Sequence, residues 1–302
     1  MTVNHTPLSG VIVPVITPVT AQDSVDEAAY RQVIRRLIAL GVDGLFIGGS
    51  AGEGPLLTFA QWQRMMSIAL ETAQGSVPVL GGVADTSTSR VLEKVGYLRE
   101  LGYAYTVLTP TFYMPSRSPD EQLRIFGAVK EHCGEMELVA YNIPGCTNAE
   151  IALETLCEMT RRGWIQYCKE SSGNRAYCLS LIAEASPLGL QVIIGDETLL
   201  AEGMLAGAKG VCCVCANFEP QTYQRLVRSA QNKQTDDVRF AQQRVLVLRQ
   251  QLVMAGACWV AGVKYSIACL GIGNGQPVSP LQPLTALEEQ AVREFVAASS
   301  DC

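Results

Sequence analysis

Short apolar segments alternate with helical patterns along most of this chain, and this alternation limits the available folds more than any other feature. The first segment, Gly10 to Thr17, is rich in β-branched residues and predicts a buried strand. Seven similar segments follow, each with a helical pattern behind it, at residues 43–49, 77–83, 103–109, 138–141, 165–169, 191–195 and 210–214. Strands that are apolar throughout are typical of a parallel sheet with both faces covered.

Eight βα units in about 230 residues favour an α/β fold with a closed parallel barrel, the (β/α)8 or TIM barrel. An open doubly wound sheet is the alternative, but no G-x-G-x-x-G motif of a dinucleotide-binding sheet follows the first strand. After about Asp236 only helical patterns continue, at residues 237–254, at 259–270 and after Thr285. We therefore predict a barrel domain over residues 1–230 and a C-terminal helical region over residues 231–302.

Polar residues between the segments predict where helices begin. Four pairs have the spacing of a capping box, in which Ser or Thr precedes Glu or Gln by three positions: Ser24 with Glu27, Thr58 with Gln61, Ser118 with Glu121, and Thr285 with Glu288. Asn148 predicts the start of a further helix.

The charge balance and the length of the apolar runs exclude several classes of partner. The net charge is −6, and no basic run with interleaved aromatic residues occurs, which argues against nucleic acid and anionic membranes. Apolar runs stay well below the ~20 residues that a membrane span needs. Residues 1–10 lack the basic and apolar regions of a secretory signal. We expect a cytoplasmic protein that acts on small molecules.

The 11 cysteines do not predict disulfides. Cys212, Cys213 and Cys215 crowd one apolar segment and Cys168 lies in another, where reduced thiols behave as small apolar side chains. A metal site formed by Cys212, Cys213 and Cys215 is the alternative. However, successive side chains of a strand point to opposite faces, and the usual spacing of zinc ligands is absent. We expect no metal.

A lysine at the end of a strand is the main candidate for chemistry. The segment 165–174 predicts a buried strand that ends on Lys169 and is followed by small polar residues. Burying an ammonium group is costly or drives it neutral, and a neutral lysine amine attacks carbonyl compounds. The alternative is that Lys169 reaches out of the strand end and pairs with a carboxylate such as Glu170.

Other polar features are predicted to lie on the same face as Lys169. Active sites of such barrels lie at the C-terminal ends of the strands. The loop 49–53 follows the second strand, the loop 109–113 follows the fourth, and Tyr141 ends the fifth. This convergence favours a nucleophilic Lys169. Lys209 precedes the eighth strand, so it is predicted to lie at the opposite end and to be structural.

Five motifs together resemble the dihydrodipicolinate synthase / N-acetylneuraminate lyase family: Gly-Ser-Ala-Gly-Glu at 49–53, Thr-Pro at 109–110, Tyr-Asn-Ile-Pro at 141–144, Lys-Glu-Ser-Ser-Gly at 169–173 and Gly-Asp at 195–196. The resemblance implies a barrel whose Lys169 forms a Schiff base with pyruvate or another 2-oxo acid, so no separate cofactor is needed. It implies that Tyr141 shuttles protons, and that Ser50 and the amide of Ala51 hold the carboxylate. Gly195 and Cys212 complete the expected substrate-binding residues. If the chain lacked Lys169, we would interpret Tyr141 as a core tyrosine and Ser50 as a turn residue.

Three positions depart from the family's pattern. Cys146 stands where dihydrodipicolinate synthases carry an arginine that grips the carboxylate of aspartate semialdehyde, and a thiol cannot replace a guanidinium. Phe112 aligns with the family's second tyrosine, which reaches into a neighbouring subunit, and Tyr113 lies beside it. Ala51 replaces a threonine of the proton relay. Cys146 and Phe112 are thus expected in the substrate site, and Tyr113 is a candidate for rebuilding the relay.

Three functional hypotheses follow. The first is a lyase or aldolase that reversibly cleaves a 2-oxo-3-deoxy sugar acid or a small hydroxy-oxo acid to pyruvate and an aldehyde. The second is a condensing, dehydrating enzyme such as dihydrodipicolinate synthase. The third is a binding or regulatory protein on a barrel that has lost its activity. The resemblance also implies a homotetramer of tight dimers, in which Phe112 and Tyr113 lie between subunits.

Overall fold

A closed parallel barrel forms the centre of the described chain, which in this computed structural model comprises residues 6–300 without the side chain of Ser300. Residues 1–5, which belong to the segment considered for a signal, and residues 301–302 lie outside the described residues. Within this range eight strands pair in chain order: β1 (Gly10–Pro14), β2 (Gly44–Ile47), β3 (Val79–Gly82), β4 (Tyr105–Leu108), β5 (Glu137–Asn142), β6 (Ile165–Glu170), β7 (Gln191–Ile194) and β8 (Gly210–Val211). β1 pairs with β8 and closes the barrel. The predicted (β/α)8 fold is confirmed.

Helices alternate with these strands and cover the outside of the barrel. They are α1 (Glu27–Ala39), α2 (Phe59–Ala73), α3 (Thr88–Leu101), α4 (Pro119–His132), α5 (Pro144–Thr147), α6 (Leu153–Arg161), α7 (Arg175–Ala185), α8 (Leu200–Ala206) and α9 (Pro220–Gln231). The C-terminal region adds α10 (Thr235–Leu248), a π-helical turn at Arg249–Val253, α11 (Ala261–Cys269) and α12 (Ala286–Ser300). The predicted domain boundary at residue 230 falls at the end of α9.

Two apolar cores are separated by the sheet, because successive side chains of a strand point to opposite faces. The outer core lies between strands and helices and includes Leu45 and Ile47. The inner core fills the barrel and includes Phe46 from the same strand, together with Tyr141 and Cys212. The barrel is therefore a packed body whose functional groups can be reached from its rim.

The predicted helix starts are correct at three positions and wrong at two. Capping boxes form at Thr58 and Ser118, and Thr285 exchanges hydrogen bonds with Glu288. Ser24 does not cap α1, because Val25 beside it pairs with Val19 in an antiparallel bridge and holds the chain extended. The carboxylate of Asp26 instead accepts the hydrogen bond from Ala29 N at 3.0 Å.

Asn148 ends a helix rather than starting one. It follows α5 with a φ of 52°, a left-handed conformation that asparagine tolerates well at helix ends. The next helix, α6, begins five residues further on at Leu153, after Ala152, without a side-chain cap. Among residues 6–300, no helix combines the length and the apolar content that crossing a lipid bilayer requires.

Candidate active site

Lys169 lies near the end of β6 with its side chain in the interior of the barrel. It is buried, and its Nζ lies 4.3 Å from the ring centroid of Tyr141 and 5.0 Å from that of Phe46. Glu170 points to the other face of the strand, where it accepts hydrogen bonds from Asn142 Nδ2 and Ser172 N, both at 2.7 Å. Pairing of Lys169 with Glu170, the alternative considered from the sequence, is therefore wrong.

Opposing influences act on the pKa of Lys169. Burial lowers this pKa because it disfavours the ammonium form, whereas negative charge on Cys212 and Tyr141 raises it, and the net direction is upward. Burial also raises the pKa of the Cys212 thiol and of the Tyr141 phenol. The proton of Lys169 is thus tightly coupled to its two neighbours.

Gly195 leaves the space that the lysine side chain occupies. It follows β7, and a Cβ added there would lie 2.8 Å from Lys169 Cε and 2.0 Å from Ser171 Oγ. Ser171 Oγ is buried and has no hydrogen-bond partner among the described residues. Any larger residue at position 195 would displace the side chains of Ser171 and Lys169. Gly195 therefore acts by making room, and Ser171 places an unpaired hydroxyl beside it.

The loop behind β2 brings Ser50 and Ala51 to the same rim as Lys169. The hydroxyl of Thr17 donates to Gly52 O at 2.7 Å and fastens the loop to the segment after β1. Glu53 follows with a φ of 54° and is buried, and it accepts a hydrogen bond from Lys264 Nζ at 2.6 Å. The loop is therefore held at Gly52 by the segment after β1 and at Glu53 by the C-terminal region.

A cavity of about 230 Å³ lies above the ends of β2 to β5. Its polar lining consists of Ser50, Glu53, Thr109, Cys146 and Thr147. Ile143 lines it as well and packs against the inner core that contains Tyr141. The cavity therefore lies next to the inner core that surrounds Lys169, although Lys169 itself is not one of the lining residues.

The two aromatic residues of the β4 loop point in different directions. Phe112 lines the cavity of its own chain. Tyr113 is 88% exposed and has a φ of 68°, a left-handed conformation that is unfavourable for a bulky residue. Within one chain Tyr113 does not line the cavity, so any contact with a relay through Tyr141 requires a second subunit.

Cysteine placement separates the candidate Cys212 from its neighbours. β8 ends at Val211, and Cys212 lies in the inner core whereas Cys213 and Cys215 belong to the outer core. The cysteines of residues 6–300 are unpaired. Over the same range no group of three or more His, Cys, Asp or Glu side chains is arranged to hold a metal ion.

The sequence interpretation missed the contribution of the C-terminal region to the site. Trp259, Val260 and Leu281 line the cavity, and Lys264 holds Glu53. The available sequence signal was a lysine, Lys264, within an otherwise apolar helical pattern, which indicates a buried charge with a partner elsewhere.

Comparison with known proteins agrees with this geometry. A model of the dihydrodipicolinate synthetase family matches residues 7–299. A curated 4-hydroxy-tetrahydrodipicolinate synthase from Acidovorax sp. (strain JS42) is 29% identical over 299 residues, covering 99% of both chains. A prophage protein of the dihydrodipicolinic acid synthase family from E. coli K12, solved in complex with pyruvate, aligns with a TM-score of 0.91 at 22% identity, covering 98% of this chain and 100% of that one.

The crystal structure of dihydrodipicolinate synthase from Aquifex aeolicus aligns with a TM-score of 0.90 at 24% identity, covering 97% of this chain and 98% of the other. At these identities the two structures support the fold, while the family match covers nearly the whole sequence. The resemblance seen in the five motifs is thereby confirmed. This chain belongs to the dihydrodipicolinate synthetase family.

Proposed function

We propose that this protein is a Schiff-base-forming enzyme that joins pyruvate to an aldehyde, or releases pyruvate in the reverse direction. The supporting observation is that Lys169 is buried beside Tyr141 at the C-terminal end of the barrel, while the neighbouring carboxylate of Glu170 is engaged elsewhere. An amine in such a place is suited to attack a carbonyl carbon.

In the proposed reaction the neutral Nζ of Lys169 attacks C2 of pyruvate, and the addition product loses water to give a protonated imine. The imine draws electrons from C3, so a C3 proton is lost and an enamine forms. Its C3 then attacks the aldehyde carbon, whose oxygen takes up a proton. Water finally hydrolyses the imine and frees Lys169. The lysine imine is the electron sink, so the scheme requires no metal or organic cofactor.

Tyr141 is proposed to carry the protons of these steps, because its phenol lies next to Lys169 and burial raises its pKa, which keeps it protonated as an acid. The hydroxyl of Ser50 and the backbone amide of Ala51 are proposed to hold the pyruvate carboxylate, since such donors bind carboxylates well. Cys212 and Gly195 bound the space around the lysine.

We further propose that the active form is an oligomer, a homotetramer of tight dimers. Tyr113 and Met114 are 88% and 76% exposed in the single chain, and large apolar and aromatic side chains are enriched at interfaces. A neighbouring subunit that covers this loop would bring Tyr113 towards a partner's site. Sedimentation of the protein tests this point.

The names of the curated relatives bear on the direction of the reaction. Curated relatives such as the Acidovorax protein are named 4-hydroxy-tetrahydrodipicolinate synthase, which supports the condensing hypothesis better than cleavage of a 2-oxo sugar acid. Condensation with aspartate semialdehyde itself is the second candidate function. Cys146 weighs against it, because the cavity wall there offers a thiol where a bidentate cation would be needed.

Borohydride trapping tests the proposed chemistry. Treatment with pyruvate and borohydride should add one reduced three-carbon adduct, which peptide mass spectrometry should locate on Lys169. Lys169→Ala should abolish it, whereas Lys209→Ala, an exposed lysine beside β8 at the opposite end of the barrel, should leave it unchanged. The absence of any adduct would favour the third hypothesis, a barrel that only binds or regulates. An adduct on Lys94 or Lys264, with Lys169 unmodified, would overturn the assignment of Lys169.

Cys146→Arg tests the second candidate function. If aspartate semialdehyde is the acceptor of related enzymes and Cys146 occupies the position of its arginine, the variant should raise the rate with this aldehyde by about tenfold or more, since a charge-assisted hydrogen bond contributes ~1.5–3 kcal/mol. Cys269→Arg, a partly exposed cysteine of α11 that does not line the cavity, is the control. Equal efficiency of the unmodified enzyme with aspartate semialdehyde and with other aldehydes would show that no such arginine is needed.

A further inference from the structure

The cavity above the ends of β2 to β5 has walls from two distant parts of the chain. The barrel loops contribute the apolar side chains of Leu56, Phe112 and Ile143, and the C-terminal region contributes Trp259, Val260 and Leu281. Leu56 and Trp259 are 42% and 39% exposed, so they form the open edge of the cavity. Apolar walls on opposite sides define a space that excludes water when an apolar group fills it.

The cavity provides almost no charge to a ligand. Of the described residues that line it, Glu53 alone has an ionisable carboxylate or cationic group. Its two carboxylate oxygens are occupied, one by Lys264 Nζ and one by Val278 N, each at 2.6 Å. The carboxylate is buried with its counter-ion, so neither charge of the pair faces a substrate.

The hydroxyls of the cavity are also largely engaged. Thr109 donates its hydroxyl proton to Pro110 O at 2.9 Å, and Thr147 donates to Ala149 O at 2.8 Å. Ser50 is assigned to the pyruvate carboxylate under the proposed function. Cys146 offers only a weak donor. A charged or polyhydroxylated chain placed here would lose hydrogen bonds to water without replacement, which is unfavourable for each unpaired polar group.

We propose that the aldehyde acceptor of this enzyme carries an uncharged apolar group, branched aliphatic or aromatic, and that this group binds in the cavity between Phe112 and Leu281. The inference rests on the proposed function, because it places the acceptor next to an enamine on Lys169. Trp259 and Phe112 provide aromatic surfaces at the edge, which suits a flat ring. The aldehyde carbon would point down towards Lys169, past Ile143.

An acceptor panel tests this proposal with pyruvate held constant. Benzaldehyde and 3-methylbutanal represent apolar acceptors, glyceraldehyde a hydroxylated one, and aspartate semialdehyde a charged one. We expect kcat/KM for the apolar aldehydes to exceed the values for the other two by about 10²-fold, because unpaired polar or charged groups are rejected by such a cavity. Equal or higher efficiency with glyceraldehyde or aspartate semialdehyde overturns the proposal.

Leu56→Arg tests the location of the binding site. The added guanidinium at the open edge should lower kcat/KM for benzaldehyde about tenfold and raise it for aspartate semialdehyde by a similar factor. Leu205→Arg on α8 is a matched control, because Leu205 is also 42% exposed but does not line the cavity. An unchanged preference in Leu56→Arg would show that the acceptor binds elsewhere and would overturn the assignment.

Imine trapping separates failure of this inference from failure of the proposed function. Both arginine variants should still form the borohydride-reduced pyruvate adduct on Lys169, since neither position contacts the lysine. If the adduct forms but apolar aldehydes are not preferred, the acceptor class is wrong and the proposed chemistry stands. If no adduct forms in the unmodified protein, the proposed function itself fails.

Discussion

Lys264 Nζ lies 2.6 Å from Glu53 Oε2, and both side chains are almost completely buried. The pair joins α11 of the C-terminal region to the loop that carries Ser50, across 211 positions of sequence. Burial lowers the pKa of Lys264, while the Glu53 carboxylate opposes that shift. The C-terminal region therefore supports the loop that carries Ser50, in addition to packing on the barrel.

We predict that Lys264→Met destabilises the fold by about 3–5 kcal/mol, because it leaves the Glu53 carboxylate buried without a counter-ion. Urea unfolding measures this change in the free energy of unfolding. The double variant Glu53→Gln with Lys264→Met removes both charges and should be less destabilised than the single one. Lys209→Met, at an exposed position, should stay within about 0.5 kcal/mol of the unmodified protein. A single variant as stable as this control would contradict the prediction.

A second prediction concerns pH. Imine formation needs the neutral amine of Lys169, whose pKa is raised by negative charge on Cys212. Cys212→Ala removes that influence, so the pKa of Lys169 falls and the neutral amine appears at lower pH. We expect the pH profile of pyruvate trapping to move down by about one pH unit, equivalent to ~1.4 kcal/mol.

Cys168→Ala is the control for the pH profile, since Cys168 precedes Lys169 in β6 but belongs to the outer core. Its profile should coincide with that of the unmodified enzyme. A profile that stays in place or moves to higher pH in Cys212→Ala would show that the thiol does not favour the ammonium form.

Gly195→Ala is predicted to reduce activity by displacing the lysine. The new Cβ would lie 2.8 Å from Lys169 Cε, and a reactive group misplaced by about 1 Å can cost 10²-fold in rate. The measurement is the rate of adduct formation with pyruvate, compared with that of Gly96→Ala, where an added Cβ meets nothing within 4 Å. Comparable rates in the two variants would mean that the lysine has more room than the structure provides.

The final prediction concerns Tyr113. Tyr113→Phe should slow turnover by about 10²-fold or more, as for the loss of a general acid or base, while pyruvate trapping remains intact. Tyr97→Phe removes a phenol hydroxyl from α3, away from the site, and should leave turnover unchanged. Sedimentation should show an oligomer rather than a 32.5 kDa species. A fully active Tyr113→Phe or a monomer at micromolar concentration would remove Tyr113 from the relay.

Local patterns made most of the fold predictable. Apolar runs and the period of apolar residues indicated the eight strands and most of the helices, but not the short α5. The position of Lys169 at a strand end placed it on the rim where such barrels bind substrates. The predicted start of a helix was wrong where a tertiary contact competed with a local sequence signal. Ser24 shows this, because pairing of Val25 with Val19 moved the start of α1 to Asp26.

The alternation of strands and helices, the (β/α)8 class and the position of Lys169 and Tyr141 at one rim could be predicted from the sequence, because they depend on short-range periodicity and strand direction. Which distant residues meet could be seen only in the folded chain. The pairing of Glu53 with Lys264, the cavity wall from Leu281 and the opposite directions of Phe112 and Tyr113 depend on barrel closure and on a left-handed backbone at Tyr113. No local pattern encodes such contacts, since their free energy comes from surfaces that are brought together only when the whole chain has folded.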